Sequence, residues 1–223
     1  PSRHLYPWVD LQENRSLRSI YTGQEFAAEE FIREDLLLER QREGQLAELL
    51  RNEQSVSAAD RRTYLEFIEA TLPFNCEHVV PQSWFDKRQP MRGDLHHLFA
   101  CQSHCNSFRS NIPYFDFADF EEVVRVGCGK REDDRFEPKE GKGPAARATL
   151  YFLLRYPGQV NDRDGEFRLD RLDMLLRWHS QFPVTRYEQH RNAAIAAVQG
   201  NRNPLIDFSD WAERIDFRHG FGG

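Results

Sequence analysis

Glu77 and His78 are neighbours in the stretch Asn75-Cys76-Glu77-His78-Val79-Val80-Pro81, and Asp94, His96, His97, Asn106, Arg109 and Asn111 follow it closely. These residue types meet the three requirements for hydrolysing a phosphodiester. A base must take a proton from water, a cation must stabilise charge on phosphorus and the leaving oxygen, and donors must hold the phosphate. A histidine can be the base near neutral pH. A carboxylate oxygen with an amide oxygen makes a hard, mostly aquated site that suits Mg2+ better than zinc. Arginine grips phosphate with a forked pair of donors. The difficulty is geometric. Adjacent residues on a flat strand point to opposite faces, so the backbone must bend here if Glu77 and His78 are to serve one site.

The elements around these residues set the expected architecture. Residues 24–52 read as an amphipathic helix, with Phe26, Phe31, Ile32, Leu36, Leu46 and Leu49 at helical spacings and Gly44 as a candidate interruption. Ser57 looks like the cap of a second helix that runs to Ala70 and stops at Leu72-Pro73. The middle changes character: two short strands near 76–80 and 94–100, a helix from 103 to 110, and a Gly- and charge-rich loop over 127–144. Further helices are expected at 145–156, around Leu169–Leu176, and from Tyr187 to a stop at Gly200. Arg147, on a helix that reads as buried, should pair with an acid, for which Glu137 is the candidate.

Three pieces occur in order: N-C-E-H-V-V-P-x-S from Asn75, G-D-L-H-H-L from Gly93, and N-S-F-R-S-N from Asn106. Together they resemble the endonuclease I family of ββα-metal (His-Me finger) nucleases. Phe136-Glu137-Pro138, Ala146-Arg147 and the Gln199–Pro204 loop are similar to it as well. The resemblance implies an α+β fold: a mostly helical single domain built around a ββα-metal finger, with an N-terminal helical segment (1–73) packed on a nuclease core (74–223). It implies a largely non-specific endonuclease acting on DNA, or on DNA and RNA, and leaving 5′-phosphate ends. His78 matches the general base. Glu77 and Asn106 match the ligands of a single Mg2+ or Mn2+.

The remaining residues divide between roles. Arg92, Arg88 and Arg109 are the candidates for holding the phosphate, with a plain salt bridge as the alternative for Arg109. Asp94 reads as a hydrogen-bond acceptor at a strand end. His96 and His97 alternate, so at most one faces the site. Asn111 reads as a helix cap or as support for the finger, and the Gln199–Pro204 loop as a turn packed against it.

Cysteines stand at 76, 101, 105 and 128. They permit two disulfides or one four-thiolate zinc site. With no leader segment in view, structural Zn2+ is the expectation, with disulfides, which the secreted relatives use, as the alternative.

The whole chain sets outer bounds. It has 223 residues, 39% hydrophobic and 30% charged, the composition of a globular protein. No apolar run approaches the roughly 20 residues of a membrane span, so no membrane partner is expected. The net charge of −6 argues mildly against a nucleic-acid partner. The rival class, which would account for the cysteines and the charge, is a non-catalytic, zinc-stabilised nucleic-acid-binding or interaction module, and an RNA-preferring nuclease is the enzymatic alternative. The sequence leaves oligomeric state and compartment open, with secretion or the periplasm implied by the resemblance.

Overall fold

The computed structural model describes residues 1–51, 58–72, 75–123, 127–161 and 169–222. It is an α+β structure in which helices outweigh four small two-stranded sheets. A helical turn at Leu5–Val9 leads into strands β1 (Ser16–Arg18) and β2 (Glu25–Ala27), which pair antiparallel. Helix α1 (Ala28–Arg51) follows directly, starting later than its apolar spacing suggested because β2 takes up its expected first turn. Gly44 does not break it; an exposed helical glycine costs only about 1 kcal/mol. Helix α2 spans Ala58–Thr71. The expected cap Ser57 and stop Pro73 lie outside the described residues.

The chemistry-bearing stretch folds as two strands and a helix. Strand β3 (Cys76–His78) pairs antiparallel with β4 (Leu98–Ala100), with Glu77 opposite Phe99, and helix α3 covers Ser103–Arg109. Both strands are shorter than expected. The first ends as the chain bends at Val79 and Val80 before Pro81. The second begins late because Asp94 caps a 3-10 turn at Leu95–His97, its carboxylate accepting the His96 N–H at 2.9 Å. An aspartate side chain that satisfies a nearby backbone N–H favours a turn over a strand.

After the short helix α4 (Phe120–Val123), the expected loop proves to contain a hairpin, β5 (Gly129–Glu132) with β6 (Arg135–Pro138). Its turn is Asp133-Asp134, with Asp133 at φ 50°, a conformation aspartate tolerates better than most residues. Helices α5 (Lys142–Arg155), α6 (Leu169–Gln181) and α7 (Arg186–Gln199) complete the frame. Thr185 and Glu188 form a capping box on α7, and Gly200, at φ 81°, ends it. Asn203 then caps the short helix α8 (Pro204–Asp207). Strands β7 (Val160–Asn161) and β8 (Phe221–Gly222) pair in parallel. No helix among the described residues is long and apolar enough to cross a membrane.

The β3–β4 ladder lies between two hydrophobic cores. Val79, Phe99 and Cys101 belong to the larger one, with Phe85, Phe136, Phe152 and Trp178. Cys76, Leu98 and Ala100 face the smaller one, built from Leu5, Tyr6, Val9, Leu17, Phe31 and Ile195. This alternation locks the register, since a one-residue slip would exchange every side chain between cores.

Buried ion pairs fasten the outer helices. Arg191 of α7 pairs with Asp10 and donates to Leu95 O at 2.9 Å and Leu98 O at 2.8 Å. Asp10 also accepts the Ala100 N–H at 2.5 Å, so α7 and the N-terminal turn both hold β4. Arg147 pairs with Glu188, at 2.6 Å and 2.9 Å, and not with the expected Glu137. Glu137 is already engaged by Lys142 and by the Phe117 N–H.

The cysteines depart from both expectations. Cys105 and Cys128 form a disulfide, with Cα atoms 5.4 Å apart, that joins α3 to the start of β5. Cys76 and Cys101 are buried free thiols. The four thus do not gather into one thiolate site, and there is one bridge, not two. Their positions explain this: Cys76 faces the smaller core and Cys101 the larger, on opposite sides of the ladder. The bridge closes a segment of 23 residues, which constrains the unfolded chain by about 3 kcal/mol. Replacing Cys105 and Cys128 by serine should lower unfolding stability by about that amount in urea; a loss below about 1 kcal/mol would contradict this.

Candidate active site

A cleft of about 590 Å³ opens over the β3–β4–α3 unit, and Glu77, His78, Arg92, Asn106, Arg109 and Asn111 all border it. Glu77 is 1% exposed. Its Oε1 accepts from Tyr21 Oη at 2.8 Å and from Arg109 NH1 at 3.0 Å. Oε2 takes no hydrogen bond among the described residues. Burial pushes this carboxyl up to about 7, against the opposing pull of Arg109 and the Tyr21 hydroxyl. The Tyr21 hydroxyl is itself backed by that of Tyr114, 2.7 Å away.

Arg109 does not extend toward a phosphate. Its guanidinium is buried, donating through NH1 to Glu77, to His78 O at 3.3 Å and to Ser110 O at 3.2 Å, and through NH2 to Val79 O at 2.9 Å. It also lies 5.0 Å from the centre of the Tyr114 ring. Of the two roles the sequence allowed, the geometry gives it the salt bridge. The same contacts answer the geometric difficulty at Glu77–His78. One guanidinium holds the Glu77 carboxylate and the carbonyls of His78 and Val79, where the strand ends and bends, so both side chains border one cleft.

The tautomer of His78 follows from its partners. Nε2 is 3.0 Å from Arg92 O. A carbonyl only accepts, so Nε2 carries the hydrogen and Nδ1 keeps a lone pair. Gln82 Nε2 donates to that Nδ1 at 3.3 Å. Burial, and then the neighbouring His97, hold the imidazole well below its usual range, at about 3, with the Arg92 carbonyl opposing. His78 is therefore neutral at physiological pH.

Asn106 is oriented in the same way. Its Nδ2 donates to Cys76 O at 2.9 Å, which leaves Oδ1 without a hydrogen bond among the described residues. Arg92 contributes the carbonyl that fixes His78 and a half-buried side chain on the cleft wall. Arg88 is away from the cleft lining and pairs with Asp86 at 3.8 Å. Asn111 is exposed on the rim; α3 ends at Ser110, whose φ is 57°, so Asn111 is not the cap.

Asp94, His96 and His97 lie behind the cleft wall. Asp94 accepts four hydrogen bonds: from His96 N (2.9 Å), Gln199 Nε2 (2.8 Å), Tyr151 Oη (2.8 Å) and Tyr156 Oη (2.8 Å). These hydrogen bonds account for its lowered pKa against the opposing effect of burial. His96 contacts Asn201 O at 3.2 Å, and Gln199 Oε1 accepts the Leu95 N–H, so the Gln199–Pro204 loop packs on the turn before β4. His97 donates to Met91 O at 2.7 Å and packs against Phe85, Phe152 and the His78 ring. Sequence reasoning missed Tyr21, Tyr114 and Gln82. Only Gln82, four residues after His78, was near enough in sequence to signal its contact.

A buried carboxylate, a neutral imidazole and a carboxamide oxygen converging on one cleft are the equipment of a hydrolase. The family model for endonuclease I matches residues 40–210, and the chain belongs to that family. It is similar to an extracellular ribonuclease of Bacillus amyloliquefaciens, 35% identical over 156 residues, covering 64% of this chain and 53% of that protein. It is also similar to an extracellular deoxyribonuclease of Aeromonas hydrophila, 29% identical over 157 residues, covering 59% and 64% respectively. The chain thus spans about half the length of the ribonuclease relative.

Replacing Asp94 with alanine removes the acceptor of four donors at the base of the site, two of them, His96 N and Tyr151 Oη, in buried hydrogen bonds. Each donor left buried and unpaired costs about 1–3 kcal/mol. The variant should be at least about 3 kcal/mol less stable in urea denaturation. A change below about 1 kcal/mol would show that these bonds do not hold the turn.

Proposed function

We propose that the chain is a metal-dependent, largely sequence-non-specific endonuclease that hydrolyses phosphodiester bonds, with the β3–β4–α3 unit as its ββα-metal finger. The observation that carries this reading is the fixed tautomer of His78. Its Nε2–H is committed to the Arg92 carbonyl, so Nδ1, which takes only the long 3.3 Å contact from Gln82 that a water would displace, is the atom that can accept a proton. A water sharing the cleft with Nδ1 would give up its proton there as it attacks phosphorus. The neutral imidazole is a weak base in the substrate-free cleft, since burial disfavours its charged form. An anionic substrate beside it favours the imidazolium and raises its proton affinity as the reaction proceeds.

The donor atoms fit a divalent cation. Among the described residues Glu77 Oε2 and Asn106 Oδ1 both lack hydrogen-bond donors, while the other polar atom of each side chain is anchored by protein. Glu77 and Asn106 would hold Mg2+ or Mn2+ with few protein ligands and the remainder from water, as Mg2+ prefers. Such an ion supplies charge stabilisation for the phosphate and the leaving oxygen. Arg109 holds Oε1, so Oε2 is the oxygen that would be available to such an ion. Release of the 3′ oxygen would leave a 5′-phosphate.

A second reading, an RNA-preferring enzyme, is supported by the 35%-identical relative, an extracellular ribonuclease. Parallel assays on RNA and DNA separate the two. The single disulfide suits an oxidising compartment, secreted or periplasmic.

Removing a general base costs about 10²–10⁴-fold. His78→Ala should therefore lose plasmid nicking by at least about 100-fold while keeping its fold and its nucleic-acid binding; undiminished nicking would overturn the mechanism. Glu77→Ala should abolish activity that Mg2+ restores to EDTA-treated wild-type protein. If that variant still responds to Mg2+ like the wild type, Glu77 is not a ligand.

A further inference from the structure

We propose that the N-terminal turn supplies a second phosphate subsite of the cleft, in which Arg3, with His4 beside it, contacts the nucleic-acid backbone next to the bond being cut. This deepens the nuclease reading and rests on it. The base of the turn is fixed from within the protein. Leu5, Tyr6 and Val9 are buried in the smaller core, Tyr6 meets Phe31 edge-on at 5.5 Å, and Asp10 holds the Ala100 N–H and Arg191. Its tip is different in kind. Arg3 and His4 are exposed, and neither side chain makes a hydrogen bond or ion pair among the described residues. Both nevertheless border the cleft that holds Glu77, His78 and Asn106. The buried part of the turn serves the fold, whereas the Arg3 guanidinium, held at the rim of the cleft with no contact of its own among the described residues, is placed where a ligand in the cleft can meet it.

Charge indicates which ligand. The protein carries −6 overall, yet the cleft is lined by four arginines, Arg3, Arg42, Arg92 and Arg109, against two glutamates, Glu39 and Glu77. Arg109 is neutralised by Glu77 and Arg42 donates to Leu72 O, while Arg3 is an exposed cation of that wall with no hydrogen bond or ion pair among the described residues; Glu39 is the one carboxylate of the lining left to offset these charges. Arg92 stands on the finger side of the same cleft, so a polyanion reaching His78 passes between two cationic walls. Arg3 and His4 lie outside the segment matched by the family model, which begins at residue 40.

The test is oligonucleotide binding by the His78→Ala protein, followed by fluorescence anisotropy over a range of salt concentrations. Adding Arg3→Ala should weaken binding roughly tenfold at low salt, as expected for losing a charge-assisted contact. The slope of log K against log salt should fall by about one, to a similar degree for every sequence tried. Arg3→Lys should restore most of the slope. Arg214→Ala, an exposed arginine outside the cleft lining, should leave it unchanged. In the active protein Arg3→Ala should raise KM with kcat kept, the pattern of lost uniform binding. Unchanged affinity and slope on removing Arg3 would overturn the subsite while leaving the nuclease reading intact. A His78→Ala protein that binds no oligonucleotide would remove both.

Discussion

The site depends on the buried contact between Glu77 and Arg109. A strand of three residues would normally send Glu77 and His78 to opposite faces. Here the guanidinium holds the carboxylate by one oxygen and the carbonyls of His78 and Val79 through NH1 and NH2. The strand is pinned where it ends, and Glu77 keeps an oxygen toward the cleft. Removing one partner of such a pair leaves a buried uncompensated charge, commonly a loss of about 3–5 kcal/mol. Arg109, which the sequence left between a phosphate contact and a salt bridge, is thus the structural centre of the β3–β4–α3 unit.

Much of the fold serves to hold that small unit still. The β3–β4 ladder has no wide sheet to support it, so side chains from distant segments do so. Asp10 and Arg191 grip β4 from one side. Asp94 gathers Tyr151 of α5, Tyr156 just past its end and Gln199 from the end of α7 at the turn just before it. The Cys105–Cys128 bridge ties down the helix that carries Asn106. Each device acts one or two residues from a residue that borders the cleft, which is how a polar, largely buried site stays ordered without a continuous sheet.

The parts legible in the sequence were those with local causes. Helical spacing placed α1, α5, α6 and α7 to within a few residues, and the order of the motifs brought Glu77, His78 and Asn106 to one cleft. Less legible was whatever depended on contacts far along the chain. Arg147 pairs with Glu188 and not Glu137, because Lys142 and Phe117 N–H had already taken Glu137. The hairpin at 129–138 carries too many charges to show strand alternation. Tyr21 and Tyr114, which flank Glu77, have no spacing signal at all. The cysteines share the middle of the chain, but the ladder divides Cys76 from Cys101, a separation no linear pattern reveals.

The central claim is that the free oxygens of Glu77 and Asn106 form one cation site beside a neutral His78. An anomalous difference map from crystals soaked in Mn2+ tests it most directly. A peak bridging the Glu77 carboxylate and the Asn106 carboxamide, with Arg109 still bonded to the other Glu77 oxygen, is the predicted result. A cleft without a peak there, or a peak at other residues, would contradict the account.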